Sequence, residues 1–279
     1  MYKTKYVVMV AAIMVLTFAI SPLIVSADWN PGDPNDPAKY VQLPDLASTG
    51  LDVNATYTGD SPFVKVLADD FLCTTPGPIT DIHIWGSWLN DLVDPNMGFY
   101  LSIHDDIPKI GDSYSRPGLL RWKQYFTPSQ YQSHIYADPV AEQFYDPNSG
   151  LILGLDTQVW QYNFYIDPST AFVQEGSAAV PKVYWLDVQA YDPNPTILGK
   201  FGWKTSLEHW NDDAVYGDTT TPGGEPGLAA GWIEMHYPSG HPLQGQSIDL
   251  AFAITPEPSS VLMLLGACLF GLAAYIRRR

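Results

Sequence analysis

The sequence predicts an all-β protein: a single antiparallel β-sandwich, jelly-roll-like, formed by residues 28–254. Three observations predict it. Apolar and polar residues alternate at the strand period of two in segment after segment. Pro- and Gly-rich turns separate those segments, and 13% of the residues are aromatic. Convincing long amphipathic helices are missing, a pattern that suits packed sheets rather than helical layers. Two smaller β-domains are the alternative arrangement of the same strands.

The first 27 residues stand apart. Lys3 and Lys5 precede an apolar run over 6–20, and Val25-Ser26-Ala27 forms a small-residue cleavage site. This reads as a signal peptide passed through the Sec translocon and cut between Ala27 and Asp28 by signal peptidase. An uncleaved anchor is the alternative, disfavoured because Pro22 breaks the apolar helix early. Residues 28–47 are rich in Pro, Asp and Asn. They read as an irregular lead-in packed over the domain through Trp29, Tyr40 and Val41.

Strands follow. Val64, Val66 and Ala68 alternate with Lys65 and Leu67. Ile82, Ile84, Gly86 and Trp88 form one face of the next strand. Phe99, Leu101 and Ile103 oppose Tyr100, Ser102 and His104. A short helix is expected within 129–143. Trp160, Tyr162, Phe164 and Ile166 oppose Gln161, Asn163 and Tyr165. Residues 183–190 form another strand, Ile233 and Met235 mark one near Trp232, and Ile248, Leu250, Phe252 and Ile254 close the domain. Asp-Pro recurs at Asp94, Asp138, Asp146, Asp167 and Asp192. There the carboxylate caps a turn whose φ the proline presets. The uneven intervals argue turn chemistry rather than a repeat.

Charge excludes one class of partner. Residues 28–254 hold 9 Lys+Arg against 29 Asp+Glu, a net charge near −20. No basic footprint for nucleic acid exists. Such acidity favours solubility and divalent cations. No cofactor is firmly indicated; Ca²⁺ is the ion these acids would take. Asp28, Asn30 and Asp33 offer calcium-loop chemistry, but their spacing misses the D-x-[DN]-x-[DN]-G loop. Cys73 is the one thiol of residues 28–254 and reads as a buried small hydrophobe.

Catalytic signals are weak. Gly111-Asp112-Ser113 matches the GDS block of one esterase class, yet no Asp-x-x-His follows to activate the serine. Asp69-Asp70 and Asp105-Asp106 are paired carboxylates suited to glycoside hydrolysis or Ca²⁺. Ordinary turn chemistry is the competing reading of both. The richest stretch is 203–217, read as one loop-like segment. It gathers Trp203, Glu208, His209, Trp210, Asn211, Asp212, Asp213 and Tyr216. Aromatic faces stack on sugar C–H surfaces while Asp and Asn bind hydroxyls, so a polysaccharide-binding loop is expected there. Core tryptophans with turn-capping polar residues are the favoured reading, and the binding loop is the sharper one set against it.

The chain ends on Pro256-Glu257-Pro258, an uncharged run over 261–276, and Arg277-Arg278-Arg279. Those 16 uncharged residues read as a short transmembrane helix with the arginines held on the cytoplasmic side. Residues 255–279 resemble the PEP-CTERM sorting signal of Gram-negative bacteria. The resemblance implies that an exosortase recognises Pro-Glu-Pro and removes the tail, after transient anchoring in the inner membrane. Blocks such as LADDFLC, ITDIHIWGSW, YWLDVQA and FGWKTSLEHWNDDAV resemble an uncharacterised domain of secreted bacterial proteins, which implies no reaction. The resulting expectation is an exported cell-surface or biofilm-matrix protein without evident catalysis, binding polysaccharide. A secreted polysaccharide hydrolase or lyase using paired carboxylates is the alternative.

Overall fold

A computed structural model describes residues 28–32, 37–58, 65–111, 113–195, 197, 199–226 and 231–255. Asp36–Glu257 forms one compact unit. It is all-β, with a single 3₁₀ turn (Leu89–Asp91) among the described residues. The chain begins with β1 (Tyr40–Gln42), β2 (Leu51–Asn54), β3 (Lys65–Cys73), β4 (Gly77–Pro78), β5 (Asp81–Trp88) and β6 (Gly98–Ile107). It continues through β7 (Arg116–Phe126), β8 (Tyr131–Ala137), β9 (Glu142–Asp146), β10 (Leu151–Asp156), β11 (Val159–Tyr165) and β12 (Val173–Gln174). It closes with β13 (Lys182–Tyr191), β14 (Phe201–Ser206), β15 (Val215–Asp218), β16 (Trp232–Glu234), β17 (Asp249–Leu250) and β18 (Phe252–Thr255).

The six-stranded sheet runs β16-β15-β3-β13-β6-β7 and is antiparallel throughout. The larger sheet runs β1-β18-β5-β14-β2-β9-β10, with β11 and β8 added beside β5 and β17 beside β14. One pair in it, β2 with β9, is parallel. The closing strand is not continuous. Leu250 pairs with Thr205 on β14, whereas Phe252 pairs with Ile84 on β5. Ala251 bridges the two, donating to Lys204 O at 2.8 Å and accepting from Trp85 N at 3.3 Å.

Alternation places the apolar faces of both sheets on one core. Ile82, Ile84 and Trp88 of β5, Tyr162 and Phe164 of β11, and Phe201 and Trp203 of β14 meet Phe99, Leu101 and Ile103 of β6 and Leu186 and Val188 of β13. Phe99 contacts Tyr162 and Phe201 across it, with ring centroids 5.2 and 4.9 Å apart. Cys73 lies in this core as a free, buried thiol. A smaller cluster of Val66, Ala68, Trp185, Val215 and Trp232 covers the other face of the six-stranded sheet.

Three sequence expectations change. The 129–143 segment holds β8 and the start of β9, not a helix. Its residues are half-exposed at a sheet margin, which erases the period-two signal. The 203–217 stretch is not one loop: it begins inside β14 and ends inside β15. The 28–47 lead-in is not wholly irregular, since β1 pairs with β18. Val64 lies outside the described residues. No helix among those described is long and apolar enough to cross a membrane; 261–276 falls outside them.

Candidate functional site

The expected ligand loop is largely occupied by its own fold. Trp203 is fully buried, packs edge-on against Phe252, and donates its indole N–H to Ala251 O at 2.7 Å. It cannot stack on a ligand. The reason is position: β14 is paired on both edges by β2 and β5, its residues are buried on both faces, and Trp203 points into the common core. The rest of the segment is tethered to neighbouring elements, although Glu208, His209 and Asn211 stay exposed. Glu208 accepts from Leu43 N, and Trp210 N donates to Asp249 Oδ2 at 2.8 Å. Asn211, at φ 61°, donates to Asp70 Oδ2. His209 lies 3.5 Å from Asp249, and Asp213 lies 3.4 Å from His236. Trp210 is half-buried edge-on to Tyr40, Asp212 is half-buried in the same loop, and Tyr216 is half-buried on β15.

The adjacent carboxylate pairs point apart, because neighbours on a strand face opposite sides. Asp69 turns toward Gln42 Nε2 and Leu250 N, at 2.9 and 2.6 Å, while Asp70 turns toward Asn211. Both are fully buried, and burial lifts the Asp70 carboxyl to about 8. Asp105 pairs with Arg121, whereas Asp106 accepts from Ser115 and Trp185 Nε1. With their members on opposite sides of the strand, neither pair forms the facing dyad that a glycosidase uses. Ser113 Oγ closes a turn onto Ile110, accepting its N–H at 3.0 Å and donating to its carbonyl at 2.8 Å. Asp112 lies outside the described residues, as do Asp33, Ala27, Pro256, Glu257, Pro258, Arg277, Arg278 and Arg279. Asp28 carbonyl accepts from Asn30 Nδ2 at 3.0 Å, which uses that amide in a local turn.

His104, on the outer face of β6, is held as an imidazolium. Its Nε2 lies 2.7 Å from Asp187 and 3.3 Å from Glu225, and its Nδ1 lies 3.2 Å from Gly118 O. Both nitrogens face oxygens, so both carry protons. Burial alone would lower its pKa, but the bonds to Asp187 and Glu225 outweigh it and lift the ring to about 10. Burial raises the enclosed Asp187 carboxyl, whereas Glu225, nearer solvent, is held below the usual range by His104. Without a bound ion this trio is an ion-pair network, in which Asp187 and Glu225 share the charge of the ring.

The feature that sequence reasoning missed is a cleft of about 430 Å³. Tyr57 and Tyr191 line it with Thr56, Thr58, Asp94, Asp192 and Lys200. The two rings meet edge-on at 5.3 Å, and Tyr191 is backed by Tyr100 and Tyr125, themselves 4.6 Å apart. Two Asp-Pro-Asn turns build one wall. Asp94 Oδ1 accepts Asn96 N at 2.9 Å, and Asp192 Oδ1 accepts Asn194 N at 2.8 Å. Their Oδ2 atoms meet no donor among the described residues. Burial raises the Asp94 carboxyl, its hydrogen bond to Asn96 N opposes the rise, and the facing Asp192 adds to it. Gly199 lets the wall close up, since a Cβ there would sit 2.7 Å from Leu92 O. The recurring Asp-Pro-Asn in the sequence was the available signal. It marked the turns but not that two of them converge.

Residues 38–255 match the family described as a domain of unknown function (DUF7901), and residues 255–279 match the PEP-CTERM protein-sorting motif. No curated protein and no solved structure matches the chain.

Proposed function

Because this chain belongs to the DUF7901 family and ends in a PEP-CTERM sorting motif, we propose that it is an exosortase-sorted surface protein whose β-domain binds polysaccharide. The sorting motif carries export and exosortase processing. The Tyr57–Tyr191 cleft carries the binding part. It offers aromatic faces to sugar C–H surfaces, with Thr56, Thr58, the two carboxyls and Lys200 for hydroxyls. Asp94 and Asp192 each spend one carboxylate oxygen on capping their own turn, a fixed structural use that favours binding over hydrolysis.

The fuller picture is part of the same proposal. Residues 1–27 are a Sec signal peptide, 28–254 one β-sandwich of jelly-roll type, and 261–276 a transient inner-membrane helix. Two sheets sharing one core support the sandwich. The test is retention of the exported protein on extracellular polysaccharide, followed by calorimetry. Tyr57→Ala should weaken binding about five- to ten-fold, the loss of one aromatic contact of ~1–1.5 kcal/mol. Failure of the protein to bind any glycan would remove the binding part and leave the sorting part standing.

A further inference from the structure

A second set of charges lies beneath the larger sheet, away from the cleft residues. Asp52 and Lys204 are cross-strand partners on β2 and β14, and Glu142 and Asp156 are partners on β9 and β10. The parallel β2–β9 pairing joins the two couples, so the four side chains form a row across four adjacent strands. Asp52 and Lys204 are 0% exposed, Asp156 1% and Glu142 2%. The Lys204 ammonium lies 2.5 Å from Glu142 Oε2 and 3.4 Å from Asp52 Oδ2. Gly50 permits that approach, because a Cβ there would sit 2.5 Å from Lys204 Nζ.

Three acids therefore share one cation. Glu142 Oε2 faces the Lys204 ammonium, whereas Asp52 Oδ1, Glu142 Oε1 and both oxygens of Asp156 accept no hydrogen bond among the described residues. Buried carboxylates left so are costly, and a half-compensated cluster is unstable in a low-dielectric interior. One oxygen from each acid lies within 4.8 Å of the others. That span is about twice a Ca²⁺–oxygen contact of ~2.4 Å. With all ionised, three carboxylates and one ammonium leave a deficit of two positive charges, which a single dication fills.

We propose that Asp52, Glu142 and Asp156 form a structural Ca²⁺ site that fastens β2, β9 and β10 together, with Lys204 balancing the remaining charge. The donor set is oxygen only, which suits a hard ion and not zinc or copper. The enclosed position disfavours Mg²⁺, which keeps several waters and demands an octahedron. A dication here compensates the parallel β2–β9 junction, where the row of charges would otherwise repel.

The full-length chain in mild detergent, stripped with EDTA and gel-filtered, is titrated with Ca²⁺ alone. Bound calcium is measured by elemental analysis, and thermal unfolding is compared in Ca²⁺ and in EDTA. One calcium per chain and a midpoint several degrees higher in Ca²⁺ are expected. Asp156→Asn and Glu142→Gln should each weaken calcium binding on the order of ten-fold or more and shrink the thermal response. If a variant does not fold, the Ca²⁺–EDTA comparison on the natural chain decides. The proposal is overturned if that chain retains no calcium and melts identically in both buffers, or if folded variants bind as it does. An intact mass lighter by one water would also overturn it, marking an amide between Lys204 and a carboxyl instead.

Discussion

His104 shows how one buried side chain sets a pH response. Its folded pKa, about 10, lies above the unfolded value of about 6.5. The proton is therefore held more tightly in the folded state, and the stability it contributes is complete below about pH 6.5 and lost as pH rises toward 10. His104→Gln should cost roughly 3–5 kcal/mol near pH 6, because Asp187 and Glu225 lose their cation. Urea midpoints of the two proteins should converge by pH 10; a gap independent of pH would refute the imidazolium. Asn211 is the other telling residue. It takes a left-handed φ of 61° to reach the buried Asp70. Asn211→Ala should destabilise by ~1–3 kcal/mol in denaturant, since it removes that donor and strains the backbone. Alternation had already placed His104 opposite Phe99, Leu101 and Ile103, but nothing in sequence spacing pairs it with Asp187, 83 positions away. Trp203 lies in the core, as the favoured reading of its stretch had it, but its polar neighbours masked the strand that carries it.

Strands whose apolar residues alternate or run together were legible even where both faces are covered, as in β5 and β13, whereas half-exposed strands such as β7 and β8 and polar buried ones such as β2 and β14 were not. β6 and β11 show clean alternation because one sheet face meets the common core. β14 carries Lys204 and Thr205 into burial beside Trp203, so its composition resembles a loop. Asp52 on β2 and Glu142 on β9 mislead in the same way, which is why their cluster escaped notice. The cleft was hidden because its walls come from separate turns that only the fold brings together. Interior junctions of this kind are also the brittle elements. Ala251 spends both backbone groups on two strands and receives the Trp203 indole N–H as well. Ala251→Pro removes the bond to Lys204 O and should destabilise by ~3 kcal/mol or more in thermal or urea unfolding. Ala253→Gly, in the adjoining strand, should cost only ~0.5–1 kcal/mol.

At the scale of the whole molecule, the sorting motif begins where the fold stops. Thr255 is the last residue of β18 and pairs with Asp81, while β18 itself is flanked by β1 and β5. The family match ends at the same residue at which the PEP-CTERM match begins. The two matches leave no residues between them, and on the proposed sorting reading the processing enzyme works close to the end of β18. Two outcomes follow for processing in the native host. A flexible Gly/Ser insert after Thr255 leaves every pairing of β18 in place and only enlarges access, so the tail should still be removed. Replacing Pro256, Glu257 and Pro258 with alanine leaves the domain equally intact but erases the recognition element, so unprocessed chain should accumulate in the membrane fraction. The mass of the exported product and the membrane-to-surface ratio measure both. Normal processing of the alanine variant would refute recognition through this element. Loss of processing in the insert variant would show instead that the enzyme needs the sheet edge itself as part of its substrate.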